Sequence, residues 1–163
     1  KGTVKKTTLR DYANIRTNGL ITIKLDDGDE LRWIKQTNGD NDVIISTSAG
    51  QAVRFSETEC RPMGRVARGV RGVRLRPDDT VVGMDIVTSS DQQLLVISQN
   101  GYGKIDATEA LLISQNGQTI RVALHDIPTL GRTTQGVRVM RLAKDDTVSS
   151  IGIVGEKDED KEA

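Results

Sequence analysis

The sequence predicts an all-β repeat protein, and three observations carry that expectation. Apolar residues come as short runs or alternations and not at helical spacing. Glycine turns separate them. The same strand patterns return after about 50 residues. Taken in chain order, Lys1-Gly2-Thr3-Val4-Lys5 is a glycine turn leading into a basic strand, and Thr8 to Asn14 can form one helical turn. Leu20 to Leu25 alternates as a strand should, Val43 to Ile45 is a short apolar run, and Val81 to Val87 and Leu94 to Ile97 are further strands. Ile105 to Ala110 can form a second helical turn. Turn chemistry lies between them at Asp27-Gly28, Asn38-Gly39, Ala49-Gly50, Asn100-Gly101 and Asn116-Gly117. With only four aromatic residues, the core must be built from Val, Ile and Leu.

Three segments align without gaps: Gly19 to Leu25, Gly69 to Leu75 and Gly136 to Leu142. Each is followed at a constant offset by an acidic turn and an apolar strand, Asp29 to Leu31, Asp79 to Val81 and Asp146 to Val148. The second and third also share Gly64-Arg65 and Gly131-Arg132 upstream. A second set of anchors joins a glycine turn to a basic strand at Gly2, Gly50, Gly101 and Gly117. Gly2 to Gly50 is 48 residues, Gly50 to Gly101 is 51 and Gly19 to Gly69 is 50, the size of a four-stranded propeller-type blade. Gly101 to Gly117 is only 16 and Gly69 to Gly136 is 67, short of one and two periods by matching amounts. A piece of one repeat, some 30 to 36 residues, is therefore expected to be skipped between Lys104 and Ile105. A further strand is expected upstream of Lys1. The expected units are about 1–47, 48–98, a truncated 99–115, and 116–154, followed by an acidic, disordered tail at 155–163.

Composition narrows the function classes. Lys plus Arg and Asp plus Glu each number 23, for a net charge of zero, but the last nine residues hold five acids and two lysines. Without them the body has 21 bases against 18 acids. One cysteine, Cys60, excludes a disulfide framework and a cysteine zinc cluster, and one histidine, His125, leaves little for metal or triad chemistry. No apolar run approaches the roughly 18 residues of a membrane span. The expectation is a soluble cytosolic chain without catalysis or cofactor.

Four runs sharpen this: Asn14 to Leu31, Arg61 to Leu75, Gln99 to Lys104 and Gly131 to Arg138. Together they resemble the C-terminal domain of the bacterial DNA gyrase A subunit, and the resemblance extends from Lys1 to about Val154. It implies a propeller-like β-pinwheel of about 50-residue four-stranded blades, here a partial ring matching the last half of the family's six. It also implies duplex DNA wrapped on a basic rim in support of negative supercoiling. The implied partners are the rest of the gyrase A subunit and the gyrase B subunit of an ATP-dependent type II topoisomerase, in the bacterial cytoplasm at the nucleoid, with no membrane. The family's Gln-Arg-Arg-Gly-Gly-Lys-Gly box does not occur in this sequence. The catalytic tyrosine, ATPase and metal site of the enzyme lie in other domains, so Tyr12 and Tyr102 inherit no role. The topoisomerase IV A-subunit domain and a protein-interaction propeller are the alternatives.

Wrapping without base readout needs Arg and Lys against phosphates along a curved face. The densest set is Arg61, Arg65, Arg68, Arg71, Arg74 and Arg76, with no acid between Glu59 and Asp78. In the aligned strand, counted from the residue after the glycine, the fourth and sixth positions (Ile23/Leu25, Val73/Leu75, Met140/Leu142) are apolar in all three copies, so alternation sends the fifth, Lys24, Arg74 and Arg141, outward. The second position, Arg71 and Arg138 in two copies, falls on the apolar side by parity unless a bulge turns it. Arg132 joins the set through the shared Gly-Arg pattern, and the other anchors add Lys5, Lys6, Arg54, Lys104 and Arg121. Cys60 reads as a structural thiol and His125-Asp126 as a solvated loop pair. The Asp78-Asp79 and Asp145-Asp146 pairs read as turn chemistry and not as metal ligands. The tail is a solubilising end, with occupation of the basic rim as its competing role.

Overall fold

The structure, a computed structural model, describes residues 1–15, 17–89, 92–98, 119–142 and 144–154. The expected gap at Lys104–Ile105, the helical turn at 105–110, the turns at Asn100 and Asn116 and the acidic tail lie outside the described residues.

The described residues form nine strands: β1 Thr3–Val4, β2 Asp42–Thr47, β3 Gln51–Ser56, β4 Val70–Arg71, β5 Val81–Val87, β6 Gln93–Ser98, β7 Thr119–Ala123, β8 Val137–Arg138 and β9 Val148–Val154. Single 3-10 turns occupy Leu9–Tyr12, Glu57–Glu59 and Leu124–Asp126. The strands pair antiparallel in three sheets, of order β1-β4, β5-β2-β3-β8 and β7-β6-β9. The all-β expectation holds, and β5 has the expected bounds.

The four-stranded sheet is covered on both faces. Ile44 and Ala52 point into a core with Leu94, Val96, Leu124, Met140 and Val148. Their strand neighbours Ile45 and Val53 point into a second core with Phe55 and Val73. A strand buried on both faces has no polar side, which is why Val43-Ile44-Ile45 is a continuous apolar run. β5 packs on β9. Gly83 makes that approach possible, since a Cβ there would stand 2.2 Å from Ile151. The expected unit boundary at 47/48 falls inside the β2–β3 hairpin, which places β2 with β3 and β5.

Strands are exchanged between repeats at identical positions. Thr3 opposes Arg71 and Val4 opposes Val70. One repeat on, Gln51 opposes Arg138 and Ala52 opposes Val137. Leu20 to Leu25, expected as the first copy of this strand, forms no ladder. Among the described residues, its one backbone–backbone hydrogen bond to another segment is from the Lys24 amide to the Ala67 carbonyl, at 3.3 Å. No described strand stands opposite it in the way β1 faces β4, and Ile21 and Ile34 are left 70% and 79% exposed.

The acidic turns are turn chemistry. Asp78 and Asp145 take positive φ of 60° and 64°, where the first copy has Gly28 at 67°. The next residue, Asp79, accepts from the Ser48 hydroxyl at 2.7 Å and the Ala49 amide at 3.0 Å, closing the β2–β3 turn. A second polar clamp is Glu57, 2% exposed. Its carboxylate receives the Asn41 and Gly39 amides at 2.9 Å each, the Thr37 hydroxyl at 2.7 Å and the Lys6 ammonium at 2.7 Å. Burial alone would raise its pKa, but Lys6 and the three hydrogen-bond donors outweigh burial and bring it down to about 2. Cys60 is buried, and burial pushes its thiol upward, away from the reactive thiolate.

Candidate nucleic-acid interface

The basic residues separate into those facing solvent and those bound into the fold. Lys6 belongs to the Glu57 clamp. Arg54 donates to Asp42 and to the Leu124 carbonyl, at 2.8 Å each. Lys5 is half-buried and donates to the Thr22 and Arg65 carbonyls, and its burial is the first cause of a lowered pKa. Arg132 fastens two repeats together, donating to the Glu59 carbonyl at 3.1 Å and the Arg71 carbonyl at 2.7 Å. These four side chains, which the basic anchors and the Gly-Arg pattern assigned to a rim, are engaged within the fold. Arg65 is half-buried, Arg61 is exposed, and Arg68 is exposed and paired with Asp26 at 2.5 Å. Lys104 lies outside the described residues, and Arg121 is described by its place in β7 alone.

Lys24, Arg74 and Arg141 are exposed, as alternation predicts. They occupy equivalent places in successive repeats. The Lys24 amide bonds the Ala67 carbonyl, and the Arg74 amide bonds the Thr134 carbonyl at 2.9 Å, the same contact one repeat later. The segments around residues 20–25, 64–76 and 131–142 are thereby linked side by side, each presenting one base at the same position.

Arg71 and Arg138 are exposed too, against simple parity. The cause is a β-bulge. The Gly2 carbonyl accepts from two consecutive amides, Gly72 at 2.8 Å and Val73 at 3.3 Å. The Gly50 carbonyl does the same with Val139 at 3.0 Å and Met140 at 3.4 Å. Two residues opposite one shift the alternation by a step, so Arg71 and Arg138 share the outer face with Arg74 and Arg141. Among the described residues these four guanidinium groups make no ion pair. Arg76, on the same segment, is exposed and reaches Gln135 at 3.4 Å. Lys144, which sequence reasoning passed over because it sits in an acidic turn, is also exposed. The acids of the same segments are turned to their own work: Asp79 closes a turn and Glu59 receives the Arg132 amide at 3.3 Å. The result is an unneutralised arginine face, strongest on the second and last repeats, suited to a polyanion. His125 and Asp126 are an exposed pair at 3.3 Å, the solvated loop pair that the sequence suggested.

Comparison with known proteins matches this architecture. The family model described as the DNA gyrase C-terminal domain, a β-propeller, matches residues 1–38, 41–88, 92–105 and 108–154. The DNA gyrase A subunit of Staphylococcus epidermidis is 35% identical over 195 positions, covering 98% of this chain and 22% of that protein. That of Aminobacterium colombiense is 36% identical, covering 97% and 24%. The chain thus spans about a fifth of the length of these relatives. Among solved structures, a topoisomerase IV C-terminal domain superposes with a TM-score of 0.62 at 25% identity, covering 95% of this chain and 59% of that one. A DNA gyrase A C-terminal domain superposes with a TM-score of 0.55 at 22% identity, covering 93% and 62%.

Proposed function

The chain belongs to the DNA gyrase C-terminal domain family, and from that membership we propose that it binds and wraps duplex DNA without sequence preference along its arginine face. The observation that carries this is the repeated outward position, Lys24, Arg74 and Arg141, basic in every copy and exposed in every copy. Exposure alone would accept Asp or Glu there. Phosphate contacts of this kind confer affinity through counterion release and carry no base readout. The domain itself performs no catalysis. Its place is within an ATP-dependent type II topoisomerase, beside the remainder of a gyrase A subunit and a gyrase B subunit, in the bacterial cytoplasm at the nucleoid. The repeat units among the described residues form part of a β-pinwheel presenting that face.

A topoisomerase IV setting is the second reading, favoured by the superposition on that enzyme's C-terminal domain. The 34–36% identity to gyrase A subunits supports the first. No helix among the described residues is long and apolar enough to cross a membrane.

Arg74→Ala and Arg141→Ala test the proposal. Each is expected to weaken binding to unrelated duplexes by similar factors, roughly five- to tenfold near 0.1 M salt, and to flatten the slope of log K against log salt by about 0.9. Filter binding at a series of salt concentrations reads both. Unchanged affinity and slope in both variants would remove the DNA from this face.

A further inference from the structure

We infer that the glycine turn opposite each bulged strand builds a two-arginine seat for a backbone phosphate, most fully formed between Arg138 and Arg141. The inference rests on the DNA-binding reading and adds the element that sets its geometry. An open hollow of about 420 Å³ is lined by Gln51, Arg138, Val139, Met140 and Arg141, the residues of the bulge and the strand facing it. Gln51 is buried and opposes Arg138 in the sheet, so the floor is fixed. The two guanidinium-bearing residues flank the hollow three positions apart. In an unbulged strand, residues three apart point to opposite faces. Here the extra residue brings them to one.

Gly50 maintains that arrangement for two separate reasons. Its φ of +73° lies in the left-handed region that favours glycine, and from that turn its carbonyl accepts from both the Val139 and Met140 amides. A Cβ on it would stand 2.8 Å from the Met140 carbonyl oxygen, a backbone atom that cannot move without moving the bulge. Gly2 repeats the design at φ +75°, with a Cβ position 2.8 Å from Val73 and the same pair of accepted amides. Gly50 is therefore a positioning residue for Arg138, and Gly2 for Arg71. Neither touches the ligand.

The test compares salt-dependent binding of a 40-base-pair duplex by the full chain, Arg138→Ala, Gly50→Ala and the double variant, with thermal melts to establish that each is folded. Both single variants are expected to flatten the slope by about 0.9, and the double variant by no more than either alone. A folded Gly50→Ala with an unchanged slope, or losses that add in the double variant, would overturn the inference. Should Gly50→Ala fail to fold, the swap Arg138→Val with Val139→Arg reads the same geometry. The bulge predicts that the slope stays reduced by about 0.9, because side chain 139 is directed to the core, where Val139 packs, and not to the outer face with Arg138 and Arg141. An unbulged strand would put residue 139 outward, and recovery of the native slope would overturn the seat. If the native chain binds no duplex at all, the DNA-binding reading itself falls, a result distinct from either of these.

Discussion

Glu57→Ala is expected to destabilise the fold by about 3–5 kcal/mol, the range for removing one partner of a buried ion pair. The cost comes from what is left behind. The Asn41 and Gly39 amides, the Thr37 hydroxyl and the Lys6 ammonium all lose their acceptor where water has little access. Because the clamp ties Lys6 of the first repeat to the β3 end of the second, the variant should also loosen the contact between the two. The carboxyl ordinarily titrates near 4.5 and is held at about 2 in the folded chain. A depressed folded pKa contributes stability that is fully present above the unfolded value and is lost as pH falls from there through the folded one. The native chain should therefore lose this part of its stability between about pH 4.5 and 2, and Glu57→Gln should lose it at every pH. Urea melts at pH 7 and pH 3 check both. An equal difference between native and Glu57→Gln at the two pH values would contradict the account.

Gly136→Ala carries the second large effect, about 3 kcal/mol or more. The residue has φ +74°, which alone costs an alanine about 1–2 kcal/mol. Its new Cβ would lie 2.1 Å from the Ala52 carbonyl oxygen and 2.5 Å from the carbonyl carbon, both backbone atoms of β3. Relief requires β8 to separate from β3, which breaks the strand exchange between repeats. Gly69 meets the Val4 carbonyl oxygen at 2.5 Å in the same way. Gly152→Ala is the control, since nothing lies within 4 Å of a Cβ there and its stability should stay within about 0.5 kcal/mol of native. Thermal melts of the two variants side by side distinguish a steric cause from a general intolerance of alanine.

Much of the fold was legible because its information is local. Alternation and glycine punctuation locate β2, β5 and β6, and the aligned acidic turns recur with the same left-handed residue at Asp78 and Asp145. The face of Arg71 and Arg138 was not legible. A period-of-two argument assumes an unbroken register, and the bulge that breaks it is set by carbonyls at Gly2 and Gly50, distant in sequence. Lys6, Arg54 and Arg132 were read as rim residues for a related reason. A recurring basic position shows that a base returns in each repeat but not whether an acid or a carbonyl elsewhere in the fold awaits it, as Glu57, Asp42 and the Arg71 carbonyl do. One signal was available: an acid directly closing an apolar strand, Glu57 after Phe55-Ser56, asks for a cation nearby. The failure of Leu20 to Leu25 to form a strand has the same origin, since alternation supplies a face but not the neighbour that must pair with it.

The most direct test of the central claim is the salt dependence of duplex binding by the native chain, measured on two unrelated sequences of equal length. Five outward bases, Lys24, Arg71, Arg74, Arg138 and Arg141, predict a slope of log K against log salt of about −4.5, the same for both duplexes. A slope near zero, or affinities differing more than about tenfold between the two sequences, would contradict a phosphate-binding rim.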